Sequence, residues 1–258
     1  MVKRICLIAC CILLVATSFS QSRRKSKSGQ NGKALVFADS ASIKRYSDSI
    51  KHAAYLADTL TDKEGSDGIK DILHSAATNT TDKLSATDGF LLNPLVKIGV
   101  PTEDQKAERG LRSLGYNKSV DDAIAGINHT AEDASKSVLP ILLDMINKTD
   151  YINSKQLLKG SDSAGTLYLK QTSYISLTSS VRPFVVASME KVGTSKYWAT
   201  AFNSVNKFGL NKSTTDLASY ITDKTVAGLF LQMEADEHAV RTDPKTKSSP
   251  LFLKLNKQ

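Results

Sequence analysis

Eight apolar positions give the clearest pattern in this chain. Val120, Ile124, Ile127, Ala131, Ala134, Val138, Ile141 and Met145 follow one another at alternating steps of four and three. That spacing keeps side chains on one face of an α-helix, and the face predicts burial against a core. Pro140 falls inside the run. A proline has no N–H to give and crowds the preceding turn, so a break is expected near residues 136–139. The same periodicity predicts helices over about 42–60, 67–83, 103–115, 163–179, 183–191, 195–206 and 214–240. Glu64 to Gly68 reads as a break, and Gly115, Gly193 and Asp243-Pro244 read as stops. Thr102 ahead of Gln105, and Ser213 ahead of Asp216, read as capped starts. Between the turn signals Asp88-Gly89 and Asn93-Pro94 and the helix after Pro101, only Leu95 to Val100 has an extended character. The expected fold is therefore all-α. It is a single multi-helix domain of about seven to nine helices, with at most a short extended segment near 95–100.

The N-terminus changes the picture from fold to destination. Lys3 and Arg4 precede an apolar run from Ile5 to Phe19, and Ser18 and Ser20 stand at the −3 and −1 positions of a cut before Gln21. This is the layout of a secretory signal peptide, so residues 1–20 are expected to be removed on export to the periplasm or cell envelope. All three cysteines, Cys6, Cys10 and Cys11, leave with it, and disulfides and thiol chemistry leave too. Leu7-Ile8-Ala9-Cys10 has the form of a lipid-modified cysteine. Cleavage there would keep about five apolar residues where about seven are needed, so lipoprotein processing at Cys10 is not expected. About 238 residues remain, with hydrophobic residues at 41% of the chain, enough to bury a core.

The formal charge of +8 is carried by the N-terminal end. Seven of the 34 basic residues precede Ala34, whereas all 26 acidic residues follow it. Residues 21–41 read as a basic flexible linker and 42–258 as a nearly neutral helical domain. No nucleic-acid-binding face is implied. Arg23, Arg24, Lys25, Lys27 and Lys33 offer at most a weak contact with an anionic surface, worth about 1 kcal/mol per charge near an acidic membrane.

Chemistry-bearing residues are sparse. Gly160, Ser161, Asp162, Ser163, Gly165 and Thr166 form the candidate ligand-binding segment, because glycines at a helix start expose backbone N–H groups to a phosphate or carboxylate. The segment lacks the Gly-Lys-Ser/Thr ending of a phosphate loop and the Gly-x-Ser-x-Gly spacing of a hydrolase elbow. Its plainer role is structural: Gly160 ends one helix and Asp162 caps the next. His129 with Glu132 and Asp133, and His238 with Glu234, each supply too few ligands for a metal, so neither a metal nor another cofactor is expected. The carboxylates Asp121-Asp122, Glu132-Asp133 and Asp236-Glu237 are expected in water, and the single tryptophan, Trp198, in the core.

The run LSATDGFLLNPLVKIGVP (Leu84 to Pro101) resembles a bacterial family, the domain of unknown function family 4197. The likeness continues through Leu111-Arg-Ser-Leu-Gly115, Ala131-Glu-Asp-Ala134, Leu158-Lys-Gly160, Arg182-Pro-Phe184 and Ala227-Gly-Leu-Phe230 to Asp243-Pro244, over about residues 67–253. The family more often carries Gly-Gly-Asp-Thr-Ala-Ala-Thr where this chain has Gly160 to Thr166. The resemblance implies an exported, mainly helical bacterial protein and brings no activity with it. The expected role is non-enzymatic, either structural or the binding of an envelope protein or small ligand. An enzyme of unrecognised type with its site around Ser161 to Thr166 is the alternative.

Overall fold

Thr61 starts the first described helix. Its hydroxyl accepts the Glu64 N–H at 3.2 Å, and the Glu64 carboxylate accepts the Thr61 N–H at 2.9 Å, which satisfies two of the donors a helix start leaves open. The computed structural model describes residues 60–202, 216–248 and 250–255, with Lys44 and Asp48 as single positions. Apart from Lys44, Asp48 and Leu60, the helix expected over 42–60 lies outside the described residues, as do the last residues of that expected over 195–206 and Ser213.

Among the described residues there are ten α-helices and no strand. In chain order they are α1 (Asp62–Ser85), α2 (Gln105–Ser113) after a 3-10 turn at Thr102–Asp104, α3 (Asn117–Ser135) and α4 (Leu139–Lys148). Then follow α5 (Ser154–Lys159), α6 (Ala164–Val192), α7 (Thr194–Phe202), α8 (Leu217–Thr242), α9 (Pro244–Lys247) and α10 (Pro250–Leu255). α8 lies along both α6 and α1, and α3 packs on α6 and α7. No helix among the described residues is long and apolar enough to cross a membrane.

The apolar stripe does what its period implies. Val120, Ile127, Ala131, Ala134 and Val138 are fully buried, and Ile124, Ile141 and Met145 pack against the same core from half-buried positions. Each large aliphatic side chain so buried contributes about 1.5–3 kcal/mol. The break comes where Pro140 demanded it: α3 ends at Ser135, and α4 begins at Leu139 with the proline in its first turn, where a missing N–H costs nothing. Gly193, at φ 77°, ends α6 in the left-handed conformation that a side chain would strain. Trp198 is in the core, its ring stacked on Phe202 at 4.1 Å.

Three local expectations are corrected. α1 runs straight through 64–68, because the Thr61–Glu64 cap starts it upstream and Gly68 is a packing position. A Cβ on Gly68 would lie 2.3 Å from Leu251, so the glycine admits the returning C-terminal helix α10. The helices expected on either side of Pro183 are one helix, α6. Pro183 is exposed, so water can take the carbonyl it orphans, while Val181, Val185 and Met189 hold the core side. Thr102 makes no side-chain cap, and the turn it begins is a 3-10 turn.

The extended stretch near 95–100 pairs with a side chain instead of a strand. Asn128 accepts the Ile98 N–H and donates to the Ile98 carbonyl, both at 2.8 Å. Its amide thus offers the two bonds a neighbouring strand would supply.

Candidate functional site

Gly160 ends α5, and Ser161 and Asp162 are exposed beyond it. The next residues turn inward. Gly165 and Thr166 are buried in the first turn of α6, and their N–H groups both point at Glu237 of α8. Gly165 N donates to Glu237 Oε1 at 3.0 Å, and Thr166 N donates to Oε2 at 2.6 Å. A carboxylate thus sits at the positive end of a 29-residue helix, where both free amides and helix dipole favour it. In this structure the anion that meets these two amides is the protein's own.

Arg241, one turn further along α8, balances the charge. Its Nε and Nη2 lie 2.8 Å and 2.7 Å from Glu237 Oε1, and it donates onward to the Leu158 and Leu157 carbonyls of α5 at 3.0 Å and 3.3 Å. Glu237 is 0% exposed and Arg241 3%. One buried ion pair therefore joins the end of α5, the start of α6 and α8. The approach also depends on Gly165, where a Cβ would stand 2.9 Å from Glu237 Oε1 and 3.3 Å from Leu73.

Asp162 does not cap α6, which corrects the structural role expected for it. Ser163 occupies the cap position without a side-chain bond, and Asp162 Oδ2 instead meets His238 Nδ1 at 3.0 Å, both side chains exposed. Glu237 has taken over the capping task from the opposite helix. A surface cleft of about 550 Å³ opens nearby, between Asp62, Lys63 and Asp67 of α1 and Asp150 to Ser154, and none of Gly160 to Thr166 lines it.

Asp236 precedes Glu237 and faces the other way round α8. Its Oδ2 accepts the Thr80 hydroxyl at 2.8 Å, and Oδ1 pairs with Lys83 and accepts Gln232 Nε2 at 3.3 Å. Gln232 in turn accepts Asn93 Nδ2 at 3.3 Å. Adjacent helical residues point about 100° apart, so two neighbouring carboxylates clasp different partners, α1 and α6. Both are buried, against the expectation that they stand in water.

Glu132 is a third buried carboxylate. Its Oε1 accepts the N–H groups of Phe90 and Leu91, each at 3.1 Å, and Oε2 lies 2.8 Å from His129 Nδ1. Asp88, at φ 63°, turns the loop so that its carboxylate joins them. One ligand atom from each of Asp88, His129 and Glu132 falls within 4.8 Å of the others. Asp133, which the sequence paired with His129, turns to α6. Burial raises its pKa, but bonds from Lys191 at 2.7 Å, Lys136 at 3.1 Å and Ser188 at 3.0 Å outweigh that and hold the carboxyl below its usual range.

The sequence did not single out Asp88, Asn128 or Arg241 as site residues. Glu237 and Arg241 carried one usable signal, the i,i+4 acid–base spacing, which on most helices marks a solvated face. Nothing local marks Asp88 as a neighbour of two side chains more than forty residues on.

A family model described as "Protein of unknown function (DUF4197)" matches residues 59–255. No curated protein and no solved structure matches the chain.

Proposed function

The chain belongs to the DUF4197 family of proteins of unknown function, and on that premise we propose that the mature protein is an exported, non-enzymatic helical module of the bacterial envelope that binds a partner protein or a small ligand. The observation that supports this is the internal use of its buried charge. Asp236 and Glu237, the carboxylates with the burial that tunes a catalytic acid or base, are each tied to a cation and to further donors of neighbouring helices. A group so engaged holds helices together, its oxygens already taken by partners within the fold. Export is supported by the charged start, the apolar run and the small residues ahead of Gln21. Arg23, Arg24, Lys25, Lys27 and Lys33 would add a salt-sensitive contact with an anionic surface.

A second reading, an enzyme with its site around Ser161 to Thr166, draws on one feature: the exposed Asp162–His238 pair beside two serines. One measurement tests export, and a second separates the two readings. Protein recovered from the envelope fraction should begin near Gln21, and an intact Met1 in the cytoplasm refutes export. In a deletion strain with a scorable phenotype, Asp162→Asn and His238→Gln should complement as the parent does. Failure of both at normal abundance and melting temperature replaces the binding reading with the enzymatic one.

A further inference from the structure

We propose that Asp88, His129 and Glu132 form a binding site for a divalent transition-metal cation, zinc being the best fit. The inference stands apart from the functional proposal above, since a cation here would serve a binding module and an enzyme alike.

The three side chains come from two segments that only the fold brings together. His129 and Glu132 are one turn apart on α3, and Asp88 arrives from the loop after α1. Their donor atoms lie within 4.8 Å of one another. Tetrahedral zinc with ligands at about 2.0–2.2 Å needs donors about 3.3–3.5 Å apart. The 2.8 Å contact between His129 Nδ1 and Glu132 Oε2 would open by about half an ångström, a small movement for a half-exposed imidazole.

Electrostatics favours a cation. Two carboxylates converge on one imidazole, and among the described residues no lysine or arginine pairs with either of them. A divalent ion would balance the two carboxylates. The supporting bonds are also in place. Glu132 is buried and its Oε1 is held by the Phe90 and Leu91 amides, which fixes the carboxylate and leaves Oε2 facing the cluster. The same bonds hold the loop that carries Asp88, so first ligand and third ligand share one brace.

The donor set selects the class of ion. One nitrogen and two carboxylates suit zinc and its first-row neighbours, whereas calcium and magnesium prefer oxygen alone. Asp88 and His129 are both half-exposed, so a fourth position opens toward solvent, for water or for a donor from another molecule.

The test is isothermal titration of zinc chloride, with calcium and magnesium chloride as controls, into untagged full-length protein stripped with chelator. Any remaining leader cysteines are alkylated beforehand. Asp88→Asn and His129→Gln are the informative variants. Asn tolerates the left-handed backbone of position 88, and neither change touches the amide bonds of Glu132. The parent should bind one zinc saturably and neither calcium nor magnesium. Each variant should bind it roughly 10–100-fold more weakly or not at all, while melting in chelator stays at the parent's temperature. Failure of the parent to bind zinc saturably, or binding in Asp88→Asn and His129→Gln as tight as in the parent, overturns the assignment.

Discussion

Removing the Glu237 carboxylate should be among the most damaging single changes the protein can suffer, and the structure says why. Glu237→Ala takes away the acceptor of the Gly165 and Thr166 N–H groups and both short contacts from Arg241. The arginine, 3% exposed, keeps only its bonds to two α5 carbonyls and cannot shed its charge. Breaking a buried ion pair from one side costs about 3–5 kcal/mol, and each orphaned buried amide about 1–3 kcal/mol before water enters. A total loss near 4 kcal/mol or more is therefore expected, a large share of an ordinary domain's ~5–15 kcal/mol. Glu237→Gln should recover part of it, because its amide oxygen still serves one N–H while its NH2 faces the other donors. Asp162→Asn, by contrast, alters an exposed pair that caps nothing and should stay within about 0.5 kcal/mol. Urea denaturation followed by circular dichroism, extrapolated to water, reads all three. If Glu237→Ala lost less than about 1 kcal/mol, the claim that this carboxylate caps α6 from α8 would be wrong.

Two further outcomes follow from the same geometry. Asn128→Asp keeps an acceptor for the Ile98 N–H but sets an anion against the Ile98 and Ile124 carbonyls, both 2.8 Å from Nδ2; it should cost at least about 2 kcal/mol and raise hydrogen exchange at Ile98, and retention of protection there would refute the clamp. Glu64 should titrate at about 2, held down first by Lys254 and then by the N–H and hydroxyl of Thr61. A depressed carboxyl stabilises the fold above its unfolded value of about 4.3, and that contribution disappears as pH falls through about 2. An NMR titration with Lys254→Met should move the midpoint upward, and an unmoved midpoint would show the Glu64–Lys254 ion pair to be absent.

What the sequence disclosed and what it concealed divide along a physical line. The stripe from Val120 to Met145 was legible because burial imposes a period on neighbouring residues, and Pro140 and Gly193 were legible because backbone chemistry acts where it stands. Gly68 misled, since a glycine that loosens a helix in isolation here makes room for Leu251, which lies far along the chain. Pro183 misled for a related reason: whether a proline ends a helix depends on the packing on either side of it. The glycine segment was found as a place with unpaired amides. Its occupant, Glu237, was hidden because a buried acid four residues before an arginine looks like any surface pair. Asp88 joined His129 only through the turn at positions 88–89, a relation with no spacing rule.

Thr80 and Asp236 are 156 positions apart, and Gly165 and Glu237 are 72. A ribosome releasing this chain therefore finishes seven of the described helices before it delivers the side chains that join them. Until α8 emerges, the first turn of α6 lacks its acceptor and Lys83 its counter-charge, and contacts across such long stretches form late. A chain whose helices are joined only when α8 arrives stays open to late assembly until that helix is made. The clasp formed by Asp236, Glu237 and Arg241 would then set the moment of folding as well as the stability of the product.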